Sequence, residues 1–211
     1  MQNLGFGKAY IMEKEKFKAG NMLYPLPVVM VSCGDGEKDN IITVAWAGTI
    51  CTNPPMLSIS VRPERYSYGI IEMTKEFVIN LTTEGLAKAT DYCGVRSGRD
   101  IDKFKEMKLT KVYGDYVKAP MILESPVNIE CRLKDIVKLG SHDMFIADVV
   151  GVHVNKELLN DKGKLELNKS KPIVYSHGEY YSLGSLLGTF GYSVRKNTKQ
   201  KGKGRANNET R

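Results

Sequence analysis

Arg62, Arg65 and Ser67 fall together in RPERYS, after an alternating strand-like run and before a stretch of helical character. Two guanidiniums and a hydroxyl so placed form a candidate anion site. Guanidinium groups hold phosphate through paired N–H donors. A helix start adds unsatisfied N–H groups and a partial positive charge, and Ser67 is the predicted N-cap. Just upstream, TVAWAGTICTNPP ends an apolar run in Ala47, Gly48, Thr49, Cys51 and Thr52, small and hydroxyl residues whose backbone can approach a flat ligand. Each residue also has an ordinary reading. Thr, Ser and Asn beside Pro54-Pro55 are turn formers, and Arg62 and Arg65 can simply be solvated. Together they point to a phosphorylated ligand lying beside a flat group.

Other chemistry finds little support. Cys33, Cys51, Cys93 and Cys131 are widely spaced without a CxxC pair, and His142, His153 and His177 lack HxxxH or HExxH spacing, so no metal centre is expected. Cys33, Cys93 and Cys131 read as core residues. Cys51 is either a small buried residue or a redox group in the ligand wall. His142, after a Gly-Ser turn, reads as surface; His153 alternates with valines and faces solvent or an interface.

The elements that would position these residues are mostly strands. YPLPVVMVSCGDG reads as a buried strand closed by a turn, and NIITVAWAGTI as a second strand pairing with it, broken at Asn53-Pro54-Pro55. MLSISV alternates as a third strand and SYGIIEMTKE is a short helix, followed by the strand FVINLTT. LAKATDYCGV and SGRDIDKFKEMK are helical. SPVNIECRLKDIVKLG and HDMFIADVVGVHVN form long antiparallel arms around Leu139-Gly140-Ser141, and PIVYS is a last strand. The expectation is a mainly β fold of six or seven strands, a mostly antiparallel barrel with two or three short inserted helices. Residues 1–194 form one domain, without internal repeats.

The net charge of +7 is local. From position 195 onward, Arg195, Lys196, Lys199, Lys201, Lys203, Arg205 and Arg211 face Glu209 alone, which accounts for six of those seven charges. The tail, 195–211, is polar and Gly-interrupted and reads as a basic, disordered terminus, either solubilising or touching an acidic partner. No apolar run approaches the ~20 residues of a membrane span, and the N-terminus has no apolar signal core. Unpaired cysteines in such a chain predict a cytoplasmic protein with no membrane partner. Apolar content of 42% is ordinary for a globular chain.

The run NIITVAWAGTICTNPPMLSISVRPERYSYGIIEMTKEFVINL, continued by DYCGVRSGRDIDKF and HGEYYSLG, resembles the flavin reductase-like FMN-binding split-barrel family, in particular its flavoredoxin and ferric-reductase-like branch. The resemblance covers roughly Leu23 to Gly191. It implies a split β-barrel of Greek-key-like order, a homodimer, and one tightly bound FMN per subunit near the dimer interface. Carried onto this sequence, Trp46, Ala47, Gly48, Thr49, Ile50, Cys51 and Thr52 line the ring and ribityl chain. Arg62, Arg65 and Ser67 face the phosphate, Asn80 and Leu81 lie beside the ring or ribityl, and Ser97, Gly98 and Lys103 close over the flavin, from this subunit or its partner. His177, Tyr180 and Tyr181 stand on the substrate side. Trp46 departs from what the family requires and is equally a core residue. No side chain is expected to be catalytic, because the chemistry belongs to the flavin. The implied function is an FMN-dependent oxidoreductase carrying electrons from NADH or NADPH, bound transiently, or from a protein donor, to flavin, ferric iron or a partner protein. The rival is a non-catalytic FMN-binding electron carrier. A nucleic-acid-binding barrel is disfavoured, because the body is nearly neutral and its aromatics fall beside Gly and Ser turns.

Overall fold

The computed structural model describes residues 14–195. The predicted basic tail therefore lies outside the described residues, apart from Arg195. Its centre is a seven-stranded antiparallel sheet built from β2 (Val29–Cys33), β3 (Asn40–Val44), β4 (Ala47–Cys51), β5 (Met56–Val61), β6 (Glu76–Leu81), β9 (Val127–Lys138) and β10 (Asp143–Val154), in the order β3-β2-β6-β9-β10-β5-β4. A short sheet joins β1 (Leu26–Pro27), β11 (Ile173–Ser176) and β12 (Glu179–Ser182), and β7 (Lys111–Val112) pairs with β8 (Met121–Ile122). The helices are α1 (Tyr66–Thr74), α2 (Ala87–Val95) and α3 (Lys103–Glu106). The mainly β class, the antiparallel order and the short inserted helices agree with expectation.

NIITVAWAGTI is two strands, not one. β3 pairs with β2 and β4 with β5, so the chain crosses from one edge of the sheet to the other through Ala45 and Trp46 alone. Laid flat, edges six strand spacings apart would be separated by about 29 Å, whereas the Val44-to-Ala47 link reaches about 10 Å. The sheet must roll into a barrel. It does so with a seam: β3 approaches β5 without pairing with it, while Trp46 O accepts from Ser60 N at 2.8 Å. Register shifts between Ile146 and Ala147, Val149 and Gly151, and Thr49 and Cys51 add the local bending that such closure needs.

Strand alternation divides the core. Val29, Val31, Ile42, Val44, Leu57, Ile59, Val61, Phe77 and Ile79 pack inside the barrel with Ile71 of α1 and Phe145 of β10. The opposite faces of β2 and β3 send Met30 and Ile41 outward, where Leu86, Ala89, Cys93 and Phe104 from the helical segment cover them. Both faces of β2 are therefore buried, as its unbroken apolar run requires.

Asn80 is part of this frame. Its side chain is fully buried; Nδ2 donates to Met30 O (3.0 Å) and Ser32 Oγ (2.9 Å). Its Oδ1 accepts from Ile122 N (2.9 Å) and Asn128 Nδ2 (2.8 Å). One amide thus ties β2, β6, β8 and β9 together, and neither Asn80 nor Leu81, which packs against the barrel core, lines a groove. Their expected place beside a ligand is not supported by the grooves of this chain. Asn80→Ala strands several buried polar groups at once, and unsatisfied groups cost about 1–3 kcal/mol each. Urea unfolding of this variant should show about 3 kcal/mol of lost stability; a midpoint like that of the wild type would mean that the network is not structural.

Candidate functional site

The seam between β3 and β5 opens into a groove of about 640 Å³. One wall is Ile42, Thr43, Val44, Ala45 and Trp46; the other is Ser60, Val61 and Arg62. β5 alternates, so Leu57, Ile59 and Val61 enter the core while Ser58 and Ser60 take the other face. Trp46 is partly exposed, and its ring stacks on His142 with centroids 5.9 Å apart and planes 10° from parallel. His142 stands on the β9–β10 turn beside Leu139 and Ser141 in the groove wall, rather than on open surface. That turn is anchored to α1: Tyr68 Oη donates to Asp143 Oδ2 at 2.7 Å, and Lys138 Nζ to the same oxygen at 2.9 Å. Those donors, Lys138 first and then Tyr68, hold the Asp143 carboxyl below its usual range.

The groove runs into a second cavity of about 290 Å³, sharing Ile42, Arg62, Arg65 and Gly94 with it. Arg62, Arg65, Arg96, Arg99 and Lys103 line this end against Glu64 as the single acid. Its floor is buried. Lys103 is 4% exposed and Ser67 1%. Lys103 Nζ donates to Ile41 O (2.7 Å) and Cys93 O (2.8 Å), which leaves one of its three donors for another acceptor. Burial pushes its amine below the ordinary lysine range, and Arg65 adds to that push. Asn40 Nδ2 donates to Ser67 Oγ at 2.8 Å.

Ser67 is not the N-cap. Arg65 occupies that position in extended conformation without a side-chain cap bond, and Ser67 is the second helical residue. The early amides of α1 lack intrahelical acceptors, which keeps the predicted anion-favouring polarity at the cavity. Two glycines shape the same end. A Cβ on Gly98 would lie 2.1 Å from Asn40 Oδ1, and one on Gly94 would meet Thr43 Cβ at 3.2 Å. This close approach of loop and helix to β3 is what makes the cavity a cradle. A phosphate fits the cations and early α1 amides at this end, and the adjoining groove of about 640 Å³ has room for the rest of a phosphorylated flavin.

Of the sequence-derived site residues, Trp46, Arg62, Arg65, Ser67, Ser97, Gly98, Lys103 and Tyr180 come together along this trough, all within one chain. Ala47 and Gly48 line an adjoining groove of about 630 Å³ that shares Trp46, Ser60 and Asn21 with the first. Thr49, Ile50, Cys51 and Thr52 lie farther along the edge strand and its turn, outside all three, with Ile50 exposed. The wall ends where β4 pairs away from the seam. Tyr180 Oη donates to Asp91 Oδ1 at 3.1 Å, and burial together with that carboxylate pushes the phenol up to about 12. Tyr181 bonds to Glu179, and the His177 ring lies against Tyr24 at a 39° tilt with centroids 4.2 Å apart; neither lines any of these three grooves.

Sequence reasoning missed Asn40, Arg96, Arg99, Tyr66, Asp91, Tyr175 and His142 as lining residues. The two arginines flanking Ser97-Gly98 were the available signal for Arg96 and Arg99. No local pattern marks His142. His153 faces neither solvent alone nor a groove, since its Nε2 bonds the buried Glu130 at 2.6 Å. Cys33, Cys93 and Cys131 are buried as expected. No described helix is long and apolar enough to cross a membrane, and no metal-ligating cluster occurs among the described residues.

Comparison with known proteins agrees with this architecture. Flavoredoxin of Desulfovibrio vulgaris (Miyazaki F) superposes with a TM-score of 0.81 at 32% identity, covering 87% of this chain and all of that one. Flavoredoxin from Methanosarcina acetivorans superposes with a TM-score of 0.78 at 28% identity over the same shares. An NADPH-flavin oxidoreductase of Streptomyces viridifaciens is 26% identical over 147 residues, which is 67% of this chain and 74% of that protein. The flavin reductase like domain matches residues 21–184, and the chain belongs to that family of flavin-linked oxidoreductases with a split-barrel fold.

Proposed function

We propose that the trough binds FMN and that the protein is an FMN-dependent oxidoreductase. The observation that carries this reading is the continuity of a cationic, buried-floored cavity with the groove at the barrel seam. Arg65, the Lys103 ammonium, the Ser67 hydroxyl and the first amides of α1 hold the phosphate. Backbone from Thr43 to Trp46 flanks the ring and excludes water from one side of it. Bound FMN supplies the acceptance and release of electrons. The chain orients it and tunes it with fixed dipoles. No nearby side chain needs to move a proton: Tyr180 stays protonated far above neutral pH.

Electrons come from NADH or NADPH, or from a protein donor, and leave to flavin, ferric iron or a partner protein. The named NADPH-flavin oxidoreductase relative favours a nicotinamide donor. The two flavoredoxin neighbours keep a non-catalytic electron carrier as the second reading, and steady-state turnover with NADPH separates the two. We also propose a homodimer. β4 is an edge strand whose outer residues, Ile50 among them, are exposed in the single chain.

The purified protein reconstituted with FMN should show flavin absorption that bleaches on addition of NADPH or NADH. A protein that takes up no FMN would sink both readings. Loss of one charge-assisted contact costs about 1.5–3 kcal/mol, so Arg65→Ala should weaken FMN about 10- to 100-fold and riboflavin far less. Equal losses would put the phosphate elsewhere. pH gives a second handle. Because burial lowers the Lys103 amine, its charge is lost at lower pH than for an ordinary lysine. The advantage of FMN over riboflavin should therefore fall as pH rises toward the lysine range, and Lys103→Met should remove that step in equilibrium titrations.

A further inference from the structure

The cationic cavity holds more positive charge than one flavin phosphate matches. Arg62, Arg65, Arg96, Arg99 and Lys103 face Glu64 alone. A phosphomonoester carries about −1.5 to −2 at neutral pH, so roughly two positive charges stay unmatched when one is bound. Clustered cations repel one another, and such an arrangement is costly without a second anion.

The cations lie in two layers. Lys103 and Ser67 form the buried floor, whereas Arg96 and Arg99 are exposed at the rim, on the segment that follows α2. Arg99 is turned back onto the cavity wall: its Nη2 donates to Glu64 O at 3.2 Å, and its guanidinium carbon sits 5.7 Å from the centroid of the Tyr66 ring. Arg65 and Arg96 make no ion pair among the described residues. The rim therefore offers guanidinium forks and an aromatic ring side by side, the combination that suits a phosphate attached to a base-bearing sugar.

We propose that Arg96 and Arg99 form a second, outer phosphate subsite that takes the 2′-phosphate of a phosphorylated nicotinamide dinucleotide, with Tyr66 beside it as a shelf for the adjoining base. The proposal rests on the FMN reading and adds donor selectivity to it. A terminal phosphomonoester is the group that fits the surplus. The bridging pyrophosphate carries a similar total charge but is common to both dinucleotides, so a comparison of the two dinucleotides separates it from the 2′-phosphate. An acidic protein surface is the less favoured occupant, because Arg99 is bonded inward to the cavity wall rather than extended from it.

The test is equilibrium titration of the FMN-loaded protein with NADP⁺ and with NAD⁺, which differ in the 2′-phosphate alone. NADP⁺ should bind at least tenfold tighter at low salt, with the ratio shrinking as ionic strength rises. Arg96→Ala and Arg99→Ala should each bring the ratio down severalfold, and the double variant should bring it near one. All three change exposed side chains, and circular dichroism checks their folding. Equal affinity for the two dinucleotides, or a ratio indifferent to both substitutions, would overturn the proposal and leave the rim for an acidic protein. A loss of FMN in Arg99→Ala as large as in Arg65→Ala would also overturn it, because both arginines would then serve one phosphate. Failure to load FMN at all would instead defeat the underlying flavin reading.

Discussion

The two-residue link between β3 and β4 is the constraint from which the rest of the molecule follows. It joins opposite edges of a seven-stranded sheet, so the sheet has to roll until those edges meet. The link does not seal the barrel. β4 takes β5 as its partner and leaves β3 with an unpaired side, and the unpaired side is the groove. A slot lined by backbone N–H and C=O groups is costly in a dry core. At a surface seam the same groups can face solvent or a polar ligand. The candidate binding site is thus where the barrel's closure is incomplete.

The helices complete the seam at its cationic end. α1 begins just after β5, so its first turn and Arg62, Arg65 and Ser67 arrive beside the slot through chain connectivity. α2 and the segment after it fold over the outer face of β3, with Gly98 allowing contact too close for a side chain and Gly94 a tight one. Lys103 is held through Ile41 O of β3 and Cys93 O of α2. One ammonium therefore serves both as a cross-link between helix and barrel and as the floor of the cationic cavity. A bound anion would stabilise the folded chain there by an amount that grows with the logarithm of its concentration over Kd.

What could be read from the sequence divides along local and non-local lines. β5, β6, β9, β10 and the helices were legible, because alternation and turn residues act within a few positions. The cationic end of the groove was legible for the same reason, since RPERYS carries Arg62, Arg65 and Ser67 in one short stretch. The break inside NIITVAWAGTI was not. Its two halves differ in which strand they pair with, not in their own pattern. Placing Asn80 and Leu81 together beside a ligand runs against strand alternation. Adjacent strand residues point to opposite faces, so Asn80 goes outward with Val78 while Leu81 goes inward with Phe77 and Ile79, and the two cannot line one slot. His142 belongs to the site through the fold alone, carried there by a long hairpin whose tip is tied down by Tyr68 and Asp143.

The chemistry left to the side chains around this trough is positioning. Burial pushes the Cys33 thiol up to about 12 and Cys93, in the cavity wall, to about 11, so neither offers a thiolate near neutral pH. Tyr180 is kept protonated by burial and by Asp91, and Lys103 spends two donors on carbonyls. A groove whose ionisable groups are either locked in hydrogen bonds or displaced from neutral titration has little acid–base or nucleophilic reactivity of its own. Its fixed charges and dipoles act instead on what is held there. That division suits an oxidoreductase of the flavin reductase-like family, in which the bound flavin does the redox work and the barrel decides where the flavin lies and which donor can reach it.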